Sequence, residues 1–207
     1  MPFNFSKMFL FSSLVALLFY GCAATTNCYT AKTLKKGERV LTPGFDFLAY
    51  MDKNGKIKIN TETFVFPSFG AAFGFPYRFE AGLRGYISST VEGSLRWQVN
   101  PEKFDLFDLS CNMHVGTIAF EVPYSKIGVT IGKEISKFQP FLSYYRYDFI
   151  EESFDDDDFY SNGVICFGVG IPFKKDLIIP EINYLLKNDY TNSGAAFFSI
   201  GIRAMLE

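Results

Sequence analysis

Residues Phe79 to Val99 constrain this chain more than any other stretch. They read F-E-A-G-L-R-G-Y-I-S-S-T-V-E-G-S-L-R-W-Q-V. In the first half Phe79, Ala81, Leu83, Gly85 and Ile87 share one parity, and Glu80, Gly82, Arg84, Tyr86 and Ser88 share the other. The second half repeats the pattern, with Val91, Gly93, Leu95, Trp97 and Val99 against Glu92, Ser94, Arg96 and Gln98. Strict period-two alternation sends successive side chains to opposite faces of a strand. The stretch is therefore a hairpin with one apolar and one charged face. Whether the charged face meets water or the inside of a barrel decides what the molecule is.

The rest of the chain repeats the motif. From Arg39 onward about ten alternating runs of strand length are separated by turn signals such as Asn54-Gly55, Asn100 to Lys103, Ser136-Lys137 and Pro172 to Asp176. No convincing helix appears. Past residue 20 no run approaches the ~20 apolar residues of a membrane-spanning helix, yet mean hydropathy is +0.10 and 18% of residues are aromatic. Such a chain needs another home for its apolar surface. The pattern predicts an all-β fold, an antiparallel up-and-down barrel of about ten strands, with eight as the smaller alternative. Strands of about 9 to 11 residues suit a tilted membrane barrel.

Alternation does not say which face is inside. Three features favour a polar, filled interior and a lipid-facing wall. Arg84, Arg96, Arg146 and Arg203 fall within strands, whereas lysines, Lys126 among them, fall mainly in turns and strand ends. A confined interior favours the guanidinium, whose rigid fork satisfies several acceptors at once. The polar parity is rich in glycine (Gly82, Gly116, Gly128, Gly132, Gly201), which a strand tolerates where something approaches closely. The other parity is bulky throughout, as a lipid-facing band requires.

Ahead of the strands, residues 1–21 read as an export signal, with Lys7 and an apolar Phe9 to Tyr20. Gly21-Cys22 resembles the lipobox of bacterial lipoproteins, which implies a lipid-bearing thiol at Cys22. Residues 22–38 (tether) then lead into the barrel domain, 39–207; they are small, polar and basic, and read as a solvated linker. With both chain ends on the periplasmic side, the short turns are periplasmic and the acidic Glu151 to Asn162 is the longest outer loop.

These features together resemble small outer-membrane β-barrel proteins, in particular predicted β-barrel lipoproteins. They are the signal ending G-C, the C-Y-T-A-K-T-L-K-K-G-E segment, F-G-F-P-Y-R-F-E-A-G-L-R, I-P-E-I-N-Y and the alternating last strand. The resemblance implies the outer membrane of a Gram-negative-type bacterium, a lipid-anchored N-terminus on the periplasmic side, and outer-membrane lipid and the barrel-assembly machinery as partners. That family usually ends in an aromatic residue; this chain ends Met205-Leu206-Glu207.

Candidate sites are few. Glu80, Arg84, Glu92, Arg96, Glu181 and Arg203 are expected to form a lumenal polar network that plugs a small barrel rather than a solute pore. Glu151, Glu152, Asp155, Asp156, Asp157 and Asp158 are carboxylates able to hold a hard cation, without EF-hand spacing; a solvated acidic loop is the plainer reading. His114, the single histidine, is expected to be a structural lumenal residue. Ser110 lies ~13 Å from it along the strand, too far to form a nucleophile–base pair. Parity puts Cys111 on the apolar face and Cys166 on the other, so no bridge between them is expected. Metal-ligand spacings and phosphate-binding glycine motifs are missing, and with a net charge of -2 neither a cofactor nor a nucleic-acid partner is expected. The reading is a non-enzymatic barrel with a structural or narrow-channel role. The alternatives are a lipid-anchored soluble barrel around an apolar ligand and a lipid-modifying membrane-barrel enzyme.

Overall fold

The computed structural model describes residues 29–51, 57–59, 66–86, 90–101, 106–118, 122–152, 157–186 and 195–206. The export signal, Cys22, the Asn54-Gly55 turn, Asp155 and Asp156 lie outside the described residues. The strands are β1 (Arg39–Leu41), β2 (Gly44–Met51), β3 (Ile57–Ile59), β4 (Phe66–Gly74), β5 (Phe79–Tyr86), β6 (Thr90–Gln98), β7 (Asp108–Ile118), β8 (Val122–Gly132), β9 (Gln139–Glu152), β10 (Asp157–Phe173), β11 (Asp176–Leu185) and β12 (Ala195–Leu206).

All pairings are antiparallel, and from β4 to β12 each strand bonds to the next in sequence. β1 and β2 are two pieces of one stave, interrupted at Thr42 and Pro43. Proline has no N–H to give a ladder, but the Thr42 N–H donates to Gly70 O at 2.8 Å and Pro43 O accepts from the Ile202 N–H at 2.8 Å. The stave therefore runs on. β3 and β4 likewise both pair with β2. The ring closes where β12 meets β1 at Arg39↔Leu206 and β2 at Gly44↔Gly201. The protein is thus a closed antiparallel ten-stranded β-barrel, and the eight-stranded alternative falls away.

The opening hairpin pairs as its pattern asked, Glu80 opposite Arg96 and Leu83 opposite Gly93. Its charged side faces inward: Glu80, Arg84, Glu92 and Arg96 are buried, while Leu83 is 63% and Leu95 47% exposed. The same sense holds around the ring, with Phe69, Met113, Val129, Leu142, Phe167 and Ile182 outward. A soluble barrel has the opposite sense, so the apolar-interior alternative does not fit.

Three sequence expectations need correcting. Lys126 is not at a strand end. Pro123, a residue that ordinarily breaks a strand, is instead the second residue of β8, so Lys126 sits mid-strand and is fully buried. Arg146 is not lumenal. It shares the outward parity of Leu142 and Tyr144, and its Nε donates to Asp148 Oδ1 at 2.8 Å. The acidic stretch is mostly strand, with Glu151 pairing Asp158 and Glu152 pairing Asp157. Aromatic and β-branched neighbours carry β9 and β10 through it despite the charge.

Parity sorts the described cysteines as expected, Cys111 exposed and Cys166 buried. In a chain with Cys22 and Cys28 changed to serine, monobromobimane should label Cys111 in the folded state and Cys166 only after denaturation. Equal labelling of both before denaturation would contradict the assigned faces.

Candidate functional site

The charged parity converges on the lumen, where two carboxylates organise the described groups. Glu80 on β5 accepts from Arg96 Nη1 at 3.0 Å and from Arg203 Nη2, reaching across the ring to β12. It also accepts the backbone N–H of Leu34 at 2.8 Å. Arg96 is held further by its Nε on Asn112 Oδ1 at 2.9 Å and its Nη2 on the Thr30 carbonyl. Charge-assisted bonds of this kind are about twice as strong as neutral ones.

Glu92 on β6 organises the second group. His114 Nδ1 lies 3.0 Å from its Oε1, the Tyr124 hydroxyl donates to its Oε2 at 2.9 Å, and Lys126 Nζ lies 3.9 Å away. Lys126 also sits over the rings of Tyr145 and Tyr147, at 4.8 and 5.3 Å. Arg84 stands opposite Glu92 in the register. Glu181 is buried within electrostatic reach of Lys126. A polar ladder from Asn112 through Thr130 to Ser143 continues around the wall, each step 2.8 Å.

Residues 29–38, expected to be a solvated tether, lie partly inside the barrel. Tyr29, Thr30, Ala31 and Leu34 are buried. The Tyr29 ring sits between Arg96 at 4.5 Å and Arg84 at 5.4 Å, and its hydroxyl bonds Ser94 Oγ at 2.9 Å. Arg203 reaches the Lys32 carbonyl, and Lys32 bonds Glu134 at the rim at 2.7 Å. The wall is thinned for this passage. A Cβ on Gly132 would meet Ala31 Cβ at 3.0 Å, and one on Gly170 would meet Thr30 Cγ2 at 2.9 Å. The segment is a plug.

All six residues of the expected network are buried in the lumen, but not as one set. Glu80, Arg96 and Arg203 form one cluster; Glu92 belongs to another; Arg84 lies over Tyr29, toward which Arg96 also turns. Sequence reading missed Lys126, Tyr29 and Asp46, all buried inside the ring. Ser110 is two same-face steps from His114 along β7, whereas Ser94 of β6 stands directly opposite that histidine. Ser94 Oγ is taken by Tyr29, His114 Nδ1 by Glu92, and His114 Nε2 has no hydrogen-bond partner among the described residues. No group of ligating side chains able to hold a metal ion occurs among the described residues. Chemically, the arrangement neutralises buried charge and holds the plug.

Glu80→Gln should therefore be costly, because it leaves Arg96 and Arg203 buried beside a neutral amide. A loss on the order of 3–5 kcal/mol is expected from urea unfolding in detergent micelles. Tyr29→Phe, which removes only the hydroxyl bond to Ser94, should cost about 1 kcal/mol. Equal costs would mean that Glu80 does not organise the cluster.

No family model matches the chain, and no curated protein sequence does. Among solved structures, two of Ail, the attachment invasion locus protein of Yersinia pestis, align with it. One, in complex with the heparin analogue sucrose octasulfate, has a TM-score of 0.33 at 11% identity; the other has 0.31 at 12%. Each alignment covers 83% of this chain and 99% of the other.

Proposed function

We propose that this protein is a non-enzymatic outer-membrane β-barrel lipoprotein whose lumen is closed by its own N-terminal segment. The observation that carries the reading is the inversion of the barrel, with ion pairs inside and a continuous apolar wall outside. A soluble monomer does not leave so large a patch in water, whereas a bilayer demands it and forbids unpaired strand edges. Cys22 would carry the acyl anchor on the periplasmic side, at the rim shared by the start of the first strand, the end of the last and the short described turns. The assembly machinery and outer-membrane lipid are then its partners.

A structural role fits better than conduction, because the plug fills the path a solute would take. It fits better than lipid chemistry, because His114 is sealed from either bulk phase and its nearest serine is already bonded.

Freed of residues 1–21, the chain should reach a strand-rich, heat-modifiable state only in detergent or bilayers. A folded, monomeric product in plain buffer would sink the membrane reading. Radiolabelled palmitate should enter the full chain and be lost in Cys22→Ser; label persisting in that variant would place the lipid elsewhere. In planar bilayers the intact protein should be silent, and deletion of residues 29–36 should produce conductance steps. Steady conduction by the intact protein would replace the closed barrel with a channel.

A further inference from the structure

The rim where the first strand begins and the last one ends holds a cleft that adjoins the lumenal network through Leu34 and Lys32 but opens outward. It lies between the N-terminal segment and the β4–β5 turn and encloses 710 Å³. Four cations line it, Lys32, Lys35, Lys36 and Arg78, against one acid, Asp108. Lys32 is bonded to Glu134, and Arg78 donates to the Asn100 carbonyl. The side chains of Lys35 and Lys36 are exposed and pair with no acid among the described residues. The lining runs from Leu34, buried in the lumen, to Phe75, which shares the outward parity of Phe69 and Phe73. The cleft thus spans the edge of the apolar wall.

The turn beside it is built at a cost. Tyr77 and Arg78 both have left-handed backbone, with φ of 58° and 64°, although neither is glycine. Such conformations are unfavourable for residues with a Cβ and persist where the surroundings impose them. Here the result is a tyrosine 87% exposed at the mouth of a basic cleft. Interfacial aromatics beside lysines are what a headgroup layer selects.

We propose that this cleft binds the phosphodiester headgroup of an anionic glycerophospholipid. Lys35 and Lys36 take the phosphate, and Phe75 and Tyr77 lie along the glycerol and the start of the acyl chains. The proposal rests on the bilayer reading above. Two features favour a lipid over a soluble polyanion: the cleft opens at the edge of the apolar wall, and the same rim carries Lys133, Lys137, Lys174 and Lys175 in its other turns. Positive charge along one rim attracts an anionic leaflet.

Trp97 supplies the readout. It is the only tryptophan, stacks on Phe79 at 5.8 Å, and adjoins Gln98 of the cleft lining. The full chain is placed in zwitterionic nanodiscs doped with brominated phosphatidylglycerol or brominated phosphatidylethanolamine. The anionic lipid should quench Trp97 at several-fold lower mole fraction, and the preference should shrink roughly fivefold for each lysine removed in Lys35→Gln and Lys36→Gln. The phosphatidylethanolamine curve should not change. Coincident curves for the two lipids in the unaltered protein overturn the proposal and leave the bilayer reading intact. Quenching by neither lipid overturns both. Sedimentation with purified peptidoglycan that is lost in the double lysine variant would identify a cell-wall polyanion as the occupant and overturn the lipid assignment. Tyr77→Ser, which leaves the charges in place, should weaken the preference without abolishing it.

Discussion

One carboxylate ties the structure together. Glu80 is wholly buried and holds Arg96 from the neighbouring strand, Arg203 from the last strand and the Leu34 amide from the segment before the first. Taking ions out of water costs several kcal/mol each unless geometry and further hydrogen bonds repay it. Here the repayment is shared by parts of the chain that no local folding step brings together. The bonds to Arg203 and Leu34 need the ring closed and the N-terminal segment in place. The β5–β6 hairpin alone supplies Arg96, but closure of the barrel and seating of the plug are coupled, because both complete the shell around Glu80.

The glycines of the polar parity follow from the same constraint. A ten-stranded ring lined with arginine, tyrosine and a returning peptide segment has no room for a side chain at every inward position. At Gly116 an added Cβ would come within 2.9 Å of the Tyr124 ring, and that ring is what presents its hydroxyl to Glu92. At Gly132 and Gly170 the space is taken by the plug itself. The usual weakening of a strand by glycine is offset at these positions because the gaps admit the Tyr124 ring and the plug. The plug is thus part of the interior and not an addition to it.

The alternation seen in the Phe79 to Val99 hairpin recurs along the chain and, with the turn signals between runs, made the barrel strands legible, because side-chain direction in a strand depends only on parity. The sense of the barrel was legible from arginine and glycine on the same parity, and Arg84, Arg96 and Arg203 lie where that argument put them. Arg146 does not. Composition ranks residue types, whereas an ion pair with Asp148 on its own strand lets one guanidinium stay outside. Lys126 was hidden by Pro123, whose missing N–H can be tolerated near a strand end. Pairings inside the lumen were not legible, since they depend on register, which turn lengths set and parity does not. The plug left no periodic trace at all. Its contacts with the wall run through the Thr33 and Leu34 amides, the Thr30 and Lys32 carbonyls, the Tyr29 ring and hydroxyl and the Lys32 ammonium, each meeting residues far along the chain.

The two ends of the barrel differ in a way that the ring alone does not require. At the end bearing the chain termini, turns such as Ser136-Lys137 and Lys174-Lys175 carry lysine at or beside positions with left-handed backbone. Such sites ordinarily favour glycine, asparagine or aspartate. At the opposite end the longest hairpin brings Glu151 and Glu152 alongside Asp158 and Asp157. Turn geometry does not select for these lysines, because asparagine would suit the left-handed positions better. Stability of the lumen does not select for them either, because Glu80 and Glu92 already find their cations inside. What remains is the medium beyond each rim. A basic, aromatic rim suits a leaflet of phosphate headgroups, and an acidic hairpin suits water. Under the bilayer reading proposed above, this charge asymmetry orients the barrel by the same electrostatics proposed for Lys35 and Lys36.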